Sequence, residues 1–263
     1  MNLRGARTLI TGSTGGLGGA IARACRDRGA HLILTGRDKA ALDRLAAEVD
    51  AETVVADLAD PEDIGRLAEA AGELDVLVCN AALPGGGRVE TFSNEEIDRV
   101  LDVNLRAPIV LSRQFTLQMA KRGQGHVVFV SSLAAAFPTP GLSLYNTTKS
   151  ALRTYSLSLR GELAPRGVGV SVVYPGLIGE AGMWADTGLA PPMGLRTMSP
   201  RQVGAAVVRA IERNRAEVSV APLPLRLGAR FAQLTPATFA RLAPRFGASR
   251  VTDAMAEALR HKR

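Results

Sequence analysis

The stretch Thr8-Leu9-Ile10-Thr11-Gly12-Ser13-Thr14-Gly15-Gly16-Leu17-Gly18-Gly19 decides the fold of this chain of 263 residues. Its first four residues are β-branched or aliphatic and predict a short buried strand, while residues 16–28 have the apolar spacing of a helix. The glycines between them let the backbone turn tightly and approach a pyrophosphate, to which the helix N-terminus presents free N–H groups. The stretch therefore predicts a strand–helix unit that binds a phosphate group. The alternative is a flexible turn without a ligand.

The same alternation of strand and helix continues through the first 221 residues. Strands are predicted at residues 8–11, 31–35, 53–56, 76–79, 126–130, 169–173 and 217–220, and helices at residues 16–28, 39–49, 61–71, 94–121, 144–164 and 200–213. Continuous apolar runs such as 76–78 and 127–130 are typical of strands that are covered on both faces. The sequence therefore predicts an α/β fold, a doubly wound parallel sheet of about seven strands with helices on both faces.

Two segments interrupt this alternation. Residues 179–198 are rich in Gly, Pro and Met and contain Trp184, which indicates either a functional lid or a poorly ordered loop. The segment from residue 222 onward has prolines at 222, 224, 236 and 244, which should divide it into short helices. We therefore expect one domain over residues 1–221 and a C-terminal extension over residues 222–263.

The extension accounts for most of the net positive charge of the chain. The formal net charge is +7, and the extension has eight basic against two acidic residues. Its apolar residues recur at steps of three or four: Leu223, Leu227, Phe231, Leu234, Phe239, Leu242 and Phe246. This basic amphipathic pattern fits a cap over a substrate cleft or a subunit contact, a membrane-surface segment, or a loosely ordered tail. No recognised nucleic-acid-binding fold surrounds it, so we expect no nucleic-acid partner.

The overall composition is that of a globular protein. Hydrophobic residues make up 46% and charged residues 22%, which excludes disordered, collagenous and coiled-coil chains. No apolar run is long enough to span a bilayer, and the N-terminus lacks a signal-peptide pattern. Two cysteines and three scattered histidines predict neither a disulfide framework nor a metal site, and favour a cytoplasmic location, free or at the membrane surface.

The clearest catalytic pattern is Tyr145-Asn146-Thr147-Thr148-Lys149. Residues four apart share one face of a helix, so the phenol and the ammonium can reach one cleft. A neighbouring cation lowers the pKa of a tyrosine and makes it a usable acid and base. Ser131 and Ser132 follow the preceding strand. The alternative is a core tyrosine beside a solvated lysine.

The spacing T-G-x-x-x-G-x-G, followed by Ser132 and then Tyr145 and Lys149, resembles the short-chain dehydrogenase/reductase family over about residues 5–221. The resemblance implies a Rossmann-like sheet and reversible hydride transfer between a nicotinamide cofactor and a carbonyl/secondary alcohol pair. It implies that Ser132 and Tyr145 hold the substrate oxygen and that Tyr145 moves the proton. Lys149 would bind the nicotinamide ribose and lower the Tyr145 pKa, and Asn104 would maintain a water path to Lys149.

The resemblance also implies a set of cofactor contacts. They are Gly12, Ser13, Thr14, Gly16, Leu17, Gly18, Arg37, Asp57, Leu58, Asn80, Ala81, Tyr145, Lys149, Pro175, Gly176 and Ile178. Arg37 follows the second strand, where no acid stands at 35 or 36, and a guanidinium suits a 2′-phosphate. We therefore expect NADP(H) to be preferred over NAD(H). The alternative is a surface arginine paired with Asp38 or Asp60, although Asp38 is also a candidate helix N-cap.

Two positions depart from the family pattern. Ala82 replaces a glycine, and Glu180 replaces a threonine, for which Thr187 is a candidate substitute. Candidate residues of the substrate cleft are Leu133, Ala134, Phe137, Pro138, Pro140, Leu142, Met183, Trp184, Leu189 and Met193. Most are apolar, which favours a lipophilic ketone or alcohol. The resemblance further implies a homodimer or homotetramer built through helices 94–121 and 144–164. The alternative function is a cofactor-binding regulator of the same fold without turnover.

Overall fold

Seven parallel strands form one sheet in the order β3-β2-β1-β4-β5-β6-β7. The computed structural model describes residues 1–191 and 196–242, together with residues 254 and 257–259. The strands are β1 (Arg7–Thr11), β2 (His31–Gly36), β3 (Ala51–Val55), β4 (Val76–Cys79), β5 (Gly125–Val130), β6 (Val168–Pro175) and β7 (Glu217–Val220). The order reverses beside β1, so its carboxyl end and that of β4 flank a crevice where ligands of such sheets bind.

Helices connect consecutive strands and cover both faces. They are α1 (Gly16–Arg26), α2 (Lys39–Val49), α3 (Pro61–Ala71), α4 (Asn94–Leu101), α5 (Ala107–Arg122), α6 (Ser143–Leu163), α7 (Pro200–Glu212), α8 (Leu223–Leu234) and α9 (Pro236–Leu242). One face of the sheet buries residues of α1, α2 and α7, such as Ile21, Leu42 and Val203. The opposite face buries residues of α3 to α6, such as Ile64 and Phe115. The predicted doubly wound parallel sheet is therefore confirmed.

Local side chains explain where several helices begin. The Asp38 carboxylate accepts a hydrogen bond from the Ala41 N–H (3.0 Å), so its predicted role as an N-cap is confirmed. Ser93 and Glu96 form a capping box at α4, and Ser199 does so with Gln202 at α7. These caps satisfy N–H groups that have no partner within the helix.

Two predicted elements differ in detail. The single helix predicted over 94–121 is divided into α4 and α5 by a π-helical turn, Asp102–Arg106, which carries Asn104. The third strand begins at Ala51, two residues earlier than predicted, because Ala51 and Glu52 pair with Leu32 and Ile33 of β2. Neighbouring backbone, which the local sequence pattern does not reveal, decides both differences.

The two interrupting segments both contact the sheet domain. Residues 179–191 include a 3-10 turn, Ala185–Thr187, and Met198 at the end of the segment forms a parallel bridge with Ile178 just before it. The extension contains α8 and α9, divided at Pro236 as predicted. Helix α8 packs against the turn Leu133–Ala136 that follows β5. No helix in the described ranges is both long enough and apolar enough to cross a membrane.

Candidate active site

The glycine-rich turn forms a cradle at the end of β1. Gly12 has φ +64°, and a Cβ atom there would lie 2.7 Å from the Ala81 Cα, so neither the conformation nor the space admits another residue. Gly15 occupies the N-cap position of α1 and offers no side-chain hydrogen bond to the first turn. The N–H groups and the positive end of the helix dipole are therefore left for an anionic ligand.

A cleft of about 930 Å³ extends along the carboxyl ends of the strands. It brings together nearly all the predicted cofactor and catalytic residues: Gly12, Thr14, Gly16, Leu17, Gly18, Arg37, Asp57, Leu58, Asn80, Ala81, Ser132, Tyr145, Lys149, Pro175, Gly176 and Ile178. Ser13 and Asn104 do not line it. Ser13 is buried below the turn, where its hydroxyl donates to the Ile10 carbonyl (2.6 Å) and accepts from the Thr35 N–H (3.3 Å).

Arg37 lies exposed at the edge of the cleft, directly after β2. Within the described ranges it forms no ion pair with a carboxylate, so the alternative pairing with Asp38 or Asp60 is not found. Asp38 uses one carboxylate oxygen to cap α2. A free guanidinium therefore stands where a phosphate on the adenosine ribose would lie if an adenine nucleotide followed the crevice.

Arg99 is a cleft residue that the sequence analysis missed. It lies on α4, and its guanidinium donates to the Asp57 carboxylate over 2.7 Å. Partial burial alone would raise the pKa of Asp57, but the hydrogen bonds from Arg99 and from the Ala59 N–H outweigh it, and the pKa lies below its usual value. Arg99 follows Asp57 by 42 residues, and nothing in the spacing of either residue signals their contact.

Asn80 ties the two central strands together at the crevice. Its side-chain amide donates to the carbonyls of Thr11 (3.0 Å) and Gly12 (3.1 Å), while its backbone N–H donates to the Thr11 hydroxyl (3.0 Å). The Ala81 N–H shares that hydroxyl. Ala82 does not have a positive φ, so the alanine in place of the family glycine is unstrained.

Ser132, Tyr145 and Lys149 meet at one wall of the cleft. Ser132 and Tyr145 both line this wall, and the Ser132 hydroxyl accepts a hydrogen bond from the Ala134 N–H (3.1 Å). The buried Lys149 Nζ lies 5.8 Å from the Tyr145 ring centroid and donates to the Val130 carbonyl (3.1 Å). Helical spacing and the end of β5 thus bring a hydroxyl, a phenol and an ammonium together.

The predicted lowering of the Tyr145 pKa by Lys149 is not found. Burial raises the pKa of Tyr145 above its usual value, and the hydrogen bond with Ser132 only partly opposes that shift. Burial also lowers the pKa of Lys149 to about 8, because the ammonium loses its water. In this structure the phenol is therefore a protonated donor at neutral pH.

Asn104 and Ser131 support the catalytic wall from beneath. The Asn104 side chain accepts from the Leu83 N–H (2.7 Å) and donates to the Leu83 carbonyl (2.9 Å) and to the Thr148 hydroxyl (3.4 Å). Asn104 is fully buried. Its partner Thr148 directly precedes Lys149 on α6. The Ser131 hydroxyl donates to the Lys149 carbonyl (2.8 Å), which leaves Ser132 as the serine beside the phenol.

The segment after β6 covers the cradle. A Cβ atom on Gly16 would lie 2.2 Å from the Ala181 Cβ, so the chain can cross the start of α1 only at a glycine. Glu180, Met183 and Trp184 line the cleft. Thr187 does not; its hydroxyl donates to the Trp184 carbonyl (2.6 Å), so it does not replace the family threonine.

Few of the apolar residues predicted for substrate contact lie in the cleft. Met183 and Trp184 do, joined by Leu83 and Pro84, which the sequence analysis missed. Leu133 is part of the core, and the Phe137 ring packs on Phe239 with centroids 5.2 Å apart. Leu133, Ala134, Phe137, Pro138, Pro140, Leu142 and Leu189 are not among the lining residues, and Met193 lies outside the described residues.

Across the described ranges, no group of three or more His, Cys, Asp or Glu side chains is placed to hold a metal ion. Cys25 and Cys79 are both free and buried.

The cleft combines an anion cradle with a proton donor and a second hydroxyl, a combination suited to polarising and protonating a carbonyl oxygen.

Comparison with known proteins agrees with this arrangement. A model of the family described as short chain dehydrogenase matches residues 6–190. The 3-oxoacyl-[acyl-carrier-protein] reductase FabG of Rickettsia conorii is 37% identical over 180 residues, which cover 68% of this chain and 75% of that protein. The Dehydrogenase/reductase SDR family member 4 of Homo sapiens is 39% identical over 180 residues, and the match spans 65% of each chain.

Solved structures have the same fold. A short-chain dehydrogenase from Sphingobium yanoikuyae in complex with NADPH has a TM-score of 0.77 and 28% identity, covering 88% of this chain and 92% of that one. The 3-ketoacyl-(acyl-carrier-protein) reductase from Brucella melitensis complexed with NADH has a TM-score of 0.75 and 28% identity, covering 83% and 98%. Such neighbours support a nicotinamide cofactor for the cleft described here.

Proposed function

Because the chain belongs to the short-chain dehydrogenase family and is an oxidoreductase, we propose that it interconverts a carbonyl and a secondary alcohol with NADP(H). The observation that carries this proposal is that Ser132, Tyr145 and Lys149 line one cleft, with the Lys149 Nζ 5.8 Å from the Tyr145 ring centroid. The glycine cradle lines the same cleft. One cleft can therefore hold the cofactor and the reacting oxygen together.

The residues present fit a dinucleotide. The N-terminus of α1, without a side-chain cap, suits the pyrophosphate, and Gly12 leaves the space that this approach needs. Asp57 and Leu58 line the part of the cleft suited to the adenine, while Ile178 and Lys149 line the part suited to the nicotinamide and its ribose. The cofactor, when bound, supplies or accepts the hydride.

The side chains then handle the oxygen and its proton. In the reductive direction, Ser132 and Tyr145 donate hydrogen bonds to the carbonyl oxygen, where negative charge develops. Tyr145, which is protonated at neutral pH, gives its proton to that oxygen. Lys149 holds positive charge beside the phenol, and Asn104 positions the chain around Lys149 through Thr148 and Leu83.

The proposed preference for NADP(H) rests on Arg37. Its guanidinium is exposed, forms no ion pair in the described part of the chain, and follows a strand end without an acid. A 2′-phosphate would gain a charge-assisted hydrogen bond there, whereas a ribose diol would gain no carboxylate acceptor at 35 or 36.

Titration with NADPH and NADH, followed by nicotinamide fluorescence, tests the cofactor assignment. We expect the wild-type protein to bind NADPH more tightly, and Arg37→Ala to weaken NADPH binding by roughly tenfold or more while leaving NADH nearly unchanged. Arg44→Ala, on the same α2 region but outside the cleft lining, is the matched control. Equal binding of both cofactors, unaffected by Arg37→Ala, would overturn the NADP(H) preference.

The role of Tyr145 needs a separate experiment. Tyr145→Phe should keep NADPH binding and lose at least about a hundredfold in kcat, because general acid catalysis is removed. Tyr155→Phe is the control, since Tyr155 lies on the same helix but shares its hydroxyl with Ser112 (2.9 Å) away from the cleft. Cofactor binding without turnover of any carbonyl in the wild-type protein would instead favour the regulator.

We propose that the substrate is lipophilic, and both the cleft and the relatives support this. Leu83, Pro84, Met183 and Trp184 give the mouth of the cleft an apolar lining, which supports a lipophilic ketone or alcohol. A relative whose name specifies a 3-oxoacyl substrate points the same way. We expect kcat/KM to rise along a series of 3-oxo esters of increasing chain length. A flat series, or a preference for sugars, would contradict the proposal.

The proposal also covers the domain boundary, the oligomer and the cellular location of the protein. We infer a single domain over residues 1–221 with residues 222–263 as an extension, and a homodimer or homotetramer built through α5 and α6. The two free, buried thiols are compatible with a reducing cytoplasm.

A further inference from the structure

Helix α8 presents its large apolar side chains to solvent. Leu223, Leu227, Phe231 and Leu234 are 62%, 55%, 48% and 82% exposed. Their spacing of four, four and three residues aligns them on one face of the helix. The exposed large hydrophobic side chains of the described ranges are otherwise scattered singly, at Val55, Val89 and Leu117. A contiguous apolar face of this kind marks a contact surface.

The opposite face of α8 attaches it to the protein through small residues and through Leu225, which is partly buried against the core. Ala229 and Ala232 are buried, and a Cβ atom on Gly228 would lie 3.9 Å from the Phe137 ring. An ordinary surface helix turns most of its large apolar residues inward, whereas α8 turns only Leu225 inward and exposes the other four. Packing against the core therefore does not explain the exposed face.

The charges beside the apolar face are all positive. Arg226 and Arg230 are exposed on the adjoining strip of α8, and Arg241 is exposed on α9. Residues 218–252 contain five arginines and no aspartate or glutamate. Two copies joined through this face would bring arginines together without a carboxylate among these residues, which is unfavourable. A bilayer with anionic headgroups matches both the apolar face and the guanidinium groups.

We propose that the exposed face of α8 is a docking surface for anionic phospholipid bilayers. The apolar side chains would enter the headgroup boundary, with Arg226 and Arg230 at the level of the phosphates. Helix α8 packs against the turn Leu133–Ala136, which directly follows Ser132. Docking therefore holds the catalytic side of the sheet close to the bilayer, where lipophilic carbonyl compounds partition. The docking itself does not depend on the proposed reaction.

Sedimentation of the full chain with vesicles tests this surface. We expect the protein to pellet with phosphatidylcholine vesicles containing about 30% phosphatidylglycerol and to remain in solution with phosphatidylcholine alone. The double substitution Leu227→Gln/Phe231→Gln should lower the partition coefficient at least about tenfold. Val89→Gln, which changes an exposed apolar residue of another turn, should bind as the wild type does.

A second double substitution separates the contribution of the arginine charges from that of the apolar side chains. Arg226→Gln/Arg230→Gln should also weaken binding severalfold, and rising salt should weaken the wild-type protein towards the level of this variant. NADPH titration of each variant verifies that the domain is intact and keeps this test independent of the proposed reaction. The proposal is overturned if the wild type stays in solution with anionic vesicles, or if Leu227→Gln/Phe231→Gln pellets equally well. It is also overturned if that variant changes only the oligomer mass in light scattering, since a second copy would then occupy the face.

Discussion

The contact between Arg99 and Asp57 shows how one residue outside any motif shapes the cleft. Asp57 lines the cleft, and its carboxylate accepts hydrogen bonds from Arg99 of α4 (2.7 Å) and from the Ala59 N–H (3.0 Å). Arg99 therefore acts as a positioning residue, because it fixes the side chain that would meet the adenosine. Both side chains of this ion pair are partly buried, so the Asp57 carboxylate is held in one position more firmly than in a fully exposed ion pair.

Replacing Arg99 should therefore weaken cofactor binding without removing a catalytic group. We expect Arg99→Gln to raise the Kd for NADPH about fivefold, since about 1 kcal/mol of positioning is lost. Turnover at saturating NADPH should remain near that of the wild type. Arg23→Gln, which breaks an exposed pair with Glu48 away from the cleft, serves as the control. An unchanged Kd in Arg99→Gln would rule out the positioning role.

At the scale of single elements, β5 contains a buried histidine that couples stability to pH. His126 shares a hydrogen bond with Ser171 of β6 (2.8 Å) and is almost fully buried. Burial, with the N-terminal ammonium and Arg160 as smaller causes, lowers the pKa of His126 from 6.5 to about 3. Between these two values the unfolded chain binds a proton that the folded chain does not, so stability is present above pH 6.5 and is lost as the pH falls towards 3.

The variant His126→Gln removes this titration and keeps a polar partner for Ser171. Between about pH 7.5 and about pH 5, the wild type should lose roughly 2 kcal/mol more free energy of unfolding than the variant does. Guanidinium unfolding at the two pH values measures this, and carboxylates that titrate in the same range affect both proteins equally. Parallel losses in the two proteins would show that His126 is protonated in the fold.

Helix α8 is attached to the turn Leu133–Ala136, which directly follows Ser132. Ala232 is fully buried and Gln233, the next residue, is exposed. Ala232→Leu should lower the free energy of unfolding by about 1–3 kcal/mol through overpacking, and should lower kcat by shifting the turn that follows Ser132. Gln233→Leu introduces the same leucine at the neighbouring solvent-exposed position and should change neither. Thermal unfolding and ketone reduction compare the two, and equal behaviour would mean that α8 does not support the turn.

For the whole molecule, the proposed oligomer is the property most open to measurement. Leu117 is exposed on α5, the helix proposed with α6 as the subunit contact. Leu117→Arg should place a charge in that contact and shift the mass measured by light scattering from dimer or tetramer towards monomer. Val89→Arg, on a turn outside α5 and α6, should keep the wild-type mass. A monomeric wild-type protein would contradict the proposed assembly.

The sequence by itself determined the fold class and most of the cleft. Apolar runs of strand length alternate with helical spacing, and a parallel sheet brings all strand ends to one edge, so motifs after each strand converge. The cradle around Gly12 and the pair Tyr145 and Lys149 could be read in this way because each depends on residues close in the chain. The end of α4 could not, because the π-helical turn at Asn104 follows from contacts with Leu83 rather than from local preference.

Only the tertiary structure decided how distant residues act on one another. Arg99 reaches Asp57 because the fold places α4 over the end of β3, and Ser13 leaves the cleft because its hydroxyl completes backbone bonds below it. Burial reversed the expected direction of the Tyr145 pKa, since desolvation depends on surroundings that no local pattern contains. The amphipathic pattern of α8 was visible in the sequence, but which face meets solvent depended on the packing of its small residues against the turn after Ser132.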